Sequence, residues 1–396
     1  MKKILIFSVA YLPLVGGAEI AVREITNRML QSEIEFDMIT IRYNKRDSRE
    51  EKIGKIKVYR IGRSWLPLRL RKLLFPFSAV RLAVRLHRTQ RYDATWSIMA
   101  SWSGFAGLFF SFRFPKVPRI LTLQEGDPLS SIRRKVRLVY PFFRMIFTRA
   151  TVIQAISTYL QNFAIDMGSK APIEVIPNGV DGGRFSEEYP PHEIETLKHN
   201  LGKKLGDIFL ITTSRLVLKN GVKDMIDALL YLPPRVKAII VGDGPLRAML
   251  EKHVASKELG DRVRFLGELR YEELPRYLKA CDVFVRPSLS EGLGNSFLEA
   301  MAAGLPVIGT PVGGIVDYLK DGETGLFATP ADPRSVAECV RRLLEDRNLL
   351  NSLARNGQSL ALKHYDWNTV AKAMHERVFK RAIILSKSQD SAMLGA

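Results

Sequence analysis

Short apolar runs rich in Ile, Val, Leu and Phe recur along the chain, at residues 4–9, 36–41, 56–61, 94–99, 119–123 and 151–156. They read as strands. Stretches of helical period lie between several of them, the first running from Ile20 to Leu30 after a Gly16-Gly17 turn. Strand, turn and helix in alternation predict a doubly wound parallel sheet. Near 173–181 a strand ends in a turn, and the polar, proline-containing segment 186–192 follows. A second series of runs then begins, at 208–213, 237–241, 263–265, 283–286, 306–310 and 324–328, again with room for helices between. The pattern predicts two α/β domains, 1–182 and 183–366, then an amphipathic helix at 367–385 and a polar, mobile tail at 386–396.

Composition changes this picture little. Apolar residues make up 46% and charged residues 26% of the 396, as in a soluble globular protein, and the length exceeds one ordinary core. Cys281 and Cys339 are far apart and make no C-x-x-C pattern, so buried thiols in a reducing compartment are expected. Lys2 and Lys3 lead only a short apolar run, which reads as a first strand and not as a secretory signal. The uncharged segment 94–112 contains serines and glycines and breaks near Ser103-Gly104. It reads as a strand and a buried helix, not as a membrane span. There is no D-x-D triplet and no His/Cys cluster of metal spacing, so no bound metal or cofactor is expected. A cytoplasmic location fits these signals.

Charge does change the picture. Residues 1–180 carry 30 Lys and Arg against 13 Asp and Glu, whereas 181–396 carry 30 against 28. So lopsided a field implies an anionic partner surface for the first domain. Two segments interleave cations with leucine and aromatics: 60–91, with Trp65, Arg69, Lys72, Phe77, Arg81 and Arg85, and 133–147, with Arg133, Arg137 and Phe147. They suit a peripheral surface on anionic lipid at the inner face of the cell membrane, each cation near the headgroups contributing on the order of 1 kcal/mol. A solvated basic helix with a core-facing apolar side is the alternative. Nucleic acid is not expected, because no recognised module accompanies the charge.

The most informative stretch is Ser290-Glu291-Gly292-Leu293-Gly294-Asn295-Ser296-Phe297-Leu298-Glu299. A glycine loop followed at once by a helix opening at Asn295 or Ser296 points backbone N–H groups and the positive end of a helix dipole at one spot, which suits a phosphate. Glu299 falls about one turn inside that helix, while Glu291 stays in the loop. Carboxylates repel a phosphate, so their expected role is to accept hydrogen bonds from sugar hydroxyls. A nucleotide sugar presents both kinds of group.

This stretch resembles the E-x7-E signature of the retaining glycosyltransferases of family 4. The likeness extends over essentially the whole chain, through Pro177-Asn178-Gly179-Val180-Asp181 and Gly313-Gly314 to Trp367. The resemblance implies the GT-B fold, two Rossmann-like doubly wound parallel-sheet domains facing across a cleft. The first would hold the acceptor and the second the nucleotide sugar, with the C-terminal helix crossing back to the first. It also implies that Glu291 contacts the transferred sugar and Glu299 the nucleotide ribose. Among donor contacts it places Gly16, Gly17, Gly242, Arg270, Gly292, Leu293, Gly294 and Asn295. Arg215 and Lys219 would grip the diphosphate and stabilise its departure in place of a divalent ion. The activity implied is metal-independent, retaining transfer from a UDP- or GDP-linked sugar to a lipid-linked or cell-envelope glycan.

The chain departs from the family's pattern at two places. Asn220 stands where a lysine commonly precedes the glycine, with Lys219 one residue early, and Gln124 stands where many members keep a histidine near the reacting sugar. Asp127 is then the candidate to orient the acceptor or act as a base, with helix capping ahead of Pro128 as the alternative. Val241-Gly242-Asp243-Gly244-Pro245 lacks the third glycine of a dinucleotide fingerprint, Arg247 standing there, and reads as a structural turn. The rival functions are a sugar-nucleotide epimerase of the same fold and a non-catalytic sugar-nucleotide-binding protein.

Overall fold

A computed structural model describes residues 1–386 except Val15, Gln31 and Ser64. The chain divides into two compact units, one made of residues 1–178 with the chain from Trp367 on, the other of Gly179–Asp366. The expected polar tail lies outside the described residues, apart from Ser386, which ends the final helix.

In the first unit the apolar runs form one eight-stranded sheet: β1 (Lys2–Phe7), β2 (Ile34–Ile41), β3 (Glu50–Ile53), β4 (Ile56–Ile61), β5 (Ala94–Ile98), β6 (Arg119–Leu123), β7 (Val152–Ala155) and β8 (Ile173–Val175). Its order is β3-β4-β2-β1-β5-β6-β7-β8, parallel except for the β3–β4 hairpin. Every residue of β5, β6 and β7 is buried, as continuous apolar runs require in a sheet covered on both faces. The sequence pattern does not show β3. Glu50-Glu51-Lys52-Ile53 has no apolar run, and it pairs as an exposed edge whose charges discourage further strand addition.

The uncharged segment after β5 is the buried helix Trp102–Arg113. Among the described residues no helix is long and apolar enough to cross a membrane. The basic helix Leu68–Gln90 buries Phe75, Ala79 and Ala83 on one stripe and leaves Leu73, Leu74 and Phe77 in solvent. The closing segment, Trp367–Ala373 followed by a π-helical stretch Met374–Lys380, packs on this same sheet. Phe379 sits edge-on to Trp96 at 5.1 Å and to Phe36 at 5.8 Å, and Arg377 and Arg381 pair with Glu174 of β8.

The second unit holds six strands: β9 (Ile208–Thr213), β10 (Val236–Val241), β11 (Val263–Gly267), β12 (Val283–Val285), β13 (Val307–Gly309) and β14 (Leu326–Phe327). All pairings are parallel, in the order β11-β10-β9-β12-β13-β14. From β9 the chain steps outward through β10 and β11, then returns on the other side of β9 as β12. In open α/β sheets such a reversal opens a crevice outside the carboxyl ends of the two central strands, where ligands bind.

Candidate active site at the ends of β9 and β12

Two loops leave the carboxyl ends of β9 and β12. The first carries Ser214, Arg215 and the turn Leu218–Asn220, after which Gly221 opens the helix Val222–Ala228. The second runs from Arg286 to Gly294, where the helix Asn295–Ala302 begins. Their backbones are joined, Leu289 N donating to Lys219 O at 2.7 Å. Side chains extend the joint: Asn220 Nδ2 donates to Arg215 O at 2.6 Å, and Arg286 Nη2 donates to Asn220 Oδ1 at 2.9 Å. The same guanidinium reaches Glu291 Oε2 and Ser296 Oγ, each at 2.6 Å.

Only glycine fits at two points around these loops. Gly221 has φ 66° and Gly313 φ 57°, and a Cβ would come within 1.8 Å of Pro287 O at the first and 1.7 Å of Glu291 O at the second. The backbone on either side of Ser288–Leu289 is therefore gripped by main chain from both flanks. Gly314 N adds a donated bond to Glu291 O at 3.3 Å.

Gly294 caps the helix Asn295–Ala302, whose first turn carries no acidic residue, so its amides and dipole favour an anion. Gly292 and Leu293 are buried in the preceding turn, which Tyr318 Oη pins by donating to Leu293 O at 2.9 Å. Glu299 lies one turn into the helix. Burial pushes its carboxyl up to about 7, against the opposing effects of a hydrogen bond from Tyr271 and the charge of Arg286. Arg215 is exposed and Lys219 half-buried, which leaves cationic groups on the solvent side of the same loop. On the β10 side, Ser214 N donates to Val241 O at 3.0 Å and Leu216 N to Asp243 O at 2.9 Å. The Gly242-Asp243-Gly244 turn thus supports the Arg215 loop, and Gly242 N itself bonds to Gly267 O at 2.7 Å.

The other candidates lie outside this bonded cluster. Arg270 follows β11, is exposed and pairs with Glu273 at 3.2 Å. Gly16, Gly17, Gln124 and Asp127 belong to the first unit. Gly16 caps the helix Gly17–Asn27 with extended backbone, so no left-handed turn demands glycine there. Asp127 is exposed and pairs with Lys135 at 3.2 Å. The helix Leu129–Lys135 has no side-chain cap, so the capping alternative for Asp127 does not hold. Gln124 is buried, and its Oε1 accepts from Asn178 Nδ2 at 3.2 Å.

Sequence reasoning missed Arg286, Tyr271 and Glu125. A lone cation closing the apolar run before a glycine loop was the available signal for Arg286. Glu125 stands beside Gln124 after β6. Its Oε1 accepts from Ala100 N at 2.6 Å, its Oε2 is buried with no hydrogen-bond partner, and burial pushes it up to about 7.

Comparison with known proteins places this arrangement. Residues 15–184 match the family described as Glycosyltransferase Family 4, and residues 193–360 the family Glycosyl transferases group 1. A GDP-mannose-dependent alpha-(1-6)-phosphatidylinositol monomannoside mannosyltransferase of Mycobacterium tuberculosis is 30% identical over 300 residues, 72% of this chain and 76% of that one. An uncharacterised glycosyltransferase of Methanocaldococcus jannaschii is 27% identical over 93% of this chain and 95% of its own. Among solved structures, sucrose-phosphate synthase from Thermosynechococcus elongatus superposes with a TM-score of 0.83 at 23% identity, covering 96% of this chain and 99% of that one. Anabaena HepE, solved with UDP and glucose, gives a TM-score of 0.78 at 24% identity, covering 96% of this chain and 100% of that one. With both units matched and a parallel α/β sheet in each, the chain belongs to glycosyltransferase family 4 and has the GT-B fold.

Proposed function

We propose that the protein transfers a sugar from a UDP- or GDP-linked donor, with retention at the anomeric carbon and without a bound metal, to a lipid-linked or cell-envelope glycan. The observation that carries this reading is the pair of bonded loops at the ends of β9 and β12, which hold Arg215, Lys219, Glu291 and the amino end of the helix Asn295–Ala302. In this reading Arg215, Lys219 and the helix amides stabilise the departing diphosphate, and Glu291 accepts hydrogen bonds from the sugar. Glu299 takes the ribose hydroxyls in its ionised form. Asp127, on an exposed loop of the first unit, is the residue we assign to orienting the acceptor.

The first unit supplies the membrane side of the reading. Trp65 (67% exposed), Phe77 (63%) and Leu138 (94%) stand in solvent near the exposed Arg69, Arg81, Arg133 and Arg137 in sequence. Apolar side chains interleaved with cations suit a peripheral position on anionic lipid. The mycobacterial relative, named for a phosphatidylinositol mannoside, supports an acceptor of that kind. The test is a thermal-shift series with UDP, GDP, UDP-glucose and GDP-mannose. One nucleotide class should raise the melting temperature by mass action, and no response to any of the four would refute the donor reading.

A further inference from the structure

Arg286 closes the run of β12 and is buried, with 8% of its surface exposed. Its guanidinium donates to three separate segments: Asn220 Oδ1 in the loop after β9, Glu291 Oε2 in the glycine loop, and Ser296 Oγ in the first turn of the next helix. It also stands over the Phe297 ring, 6.0 Å from the centroid, and its Nε is buried without a partner. Burying a cation is costly unless a carboxylate and further acceptors meet it in good geometry, and Glu291, Asn220 and Ser296 supply that set. The planar fork of an arginine can hold three acceptors in fixed directions, which the single ammonium of a lysine cannot reproduce.

We infer that Arg286 is a positioning residue for the donor sugar, holding the Glu291 carboxylate in one orientation against the Arg215 loop. Asn220 is the strut that passes this constraint across, because it bonds Arg286 with one end and Arg215 O with the other. The inference rests on the reading of Glu291 as the group that meets the sugar. It adds that a buried neighbour, which touches no substrate itself, sets how well that carboxylate is aimed.

The test uses the full chain and calorimetry with UDP, GDP, UDP-glucose and GDP-mannose. The quantity read is the gain in affinity that the sugar adds over the bare nucleoside diphosphate. R286K should melt cooperatively and bind the nucleoside diphosphate like wild type, yet lose the sugar's gain by about tenfold or more, as E291Q does. The double variant should be no worse than the worse single one. R286Q should likewise keep nucleoside diphosphate affinity and lose the sugar's gain, a split that general loosening of the fold does not produce. Ser296→Ala removes one strut without changing charge and carries the test if R286K fails to fold; it should reduce the gain. A full sugar gain in R286K, R286Q or Ser296→Ala, multiplying effects in the double variant, or nucleoside diphosphate affinity falling in step with the sugar's gain overturns the inference. Failure of the parent reading looks different. E291Q then keeps the wild-type gain, or wild type shows none, and the inference falls with it.

Discussion

Gln124 and Asn178 meet side chain to side chain, Nδ2 donating to Oε1 at 3.2 Å, with both residues buried where the first unit's opening segment ends. Losing one side-chain hydrogen bond between buried amides costs roughly 0.5–1.5 kcal/mol. Gln124→Leu should therefore lower stability by about that amount in urea unfolding of the whole chain. A variant with the wild-type midpoint would show that the contact braces nothing.

Glu299 gives a pH prediction with a definite sign. Its folded carboxyl titrates at about 7, above the ordinary value of 4.5 for an unfolded chain. The folded state thus binds the extra proton, and stability contributed by the neutral carboxyl is present at low pH and lost as pH rises from about 4.5 through about 7. Glu299→Gln should melt like wild type at pH 4.5 and higher than wild type at pH 8. Nucleoside diphosphate affinity should rise from pH 6 to 8 in wild type and lose that component in the variant. Comparing the two removes the background from Glu125, which titrates in the same window.

Gly313→Ala would set a Cβ 1.7 Å from Glu291 O in backbone of φ 57°. The strain alone is worth roughly 1–3 kcal/mol, and relief requires the Glu291 loop to move. Both stability and nucleotide-sugar affinity should fall, read by chemical unfolding and calorimetry on one preparation. Gly322→Ala, where a Cβ would meet nothing within 4 Å, is the control for strain without a clash.

Phosphatidylglycerol vesicles should sediment the protein where phosphatidylcholine vesicles do not, and salt near 0.5 M should release it. Reversing both Arg81 and Arg85 to Glu should weaken that binding on the order of tenfold or more, since each cation contributes on the order of 1 kcal/mol. Equal sedimentation with both lipids would remove charge from the explanation.

The parallel sheets were legible because strands buried on both faces must be written as apolar runs, and 94–99, 119–123 and 208–213 are such runs. The helix start at Asn295 was legible for a different reason: Gly294, at φ 91° with a Cβ position 2.9 Å from the Phe297 ring, marks where an ordinary side chain does not fit. β3 was not, because an edge strand such as Glu50–Ile53 draws its structure from pairing with β4 and buries almost nothing of its own. Nor was the Asn220–Arg286–Glu291 joint. It spans loops from strands distant in sequence, and no local spacing encodes which way a lone arginine points. The ion pairs of Arg270 with Glu273 and of Asp127 with Lys135 were likewise not legible.

Phe379 reaches Trp96 and Phe36 from a segment made after the second unit, so these two rings of the first sheet lack that cover while the entire second unit is translated. Synthesis order and assembly order are thereby set against each other. A chain cut after Asp366 would carry a complete second unit and a first unit still missing its aromatic packing from Phe379, and holdase chaperones would find their target there.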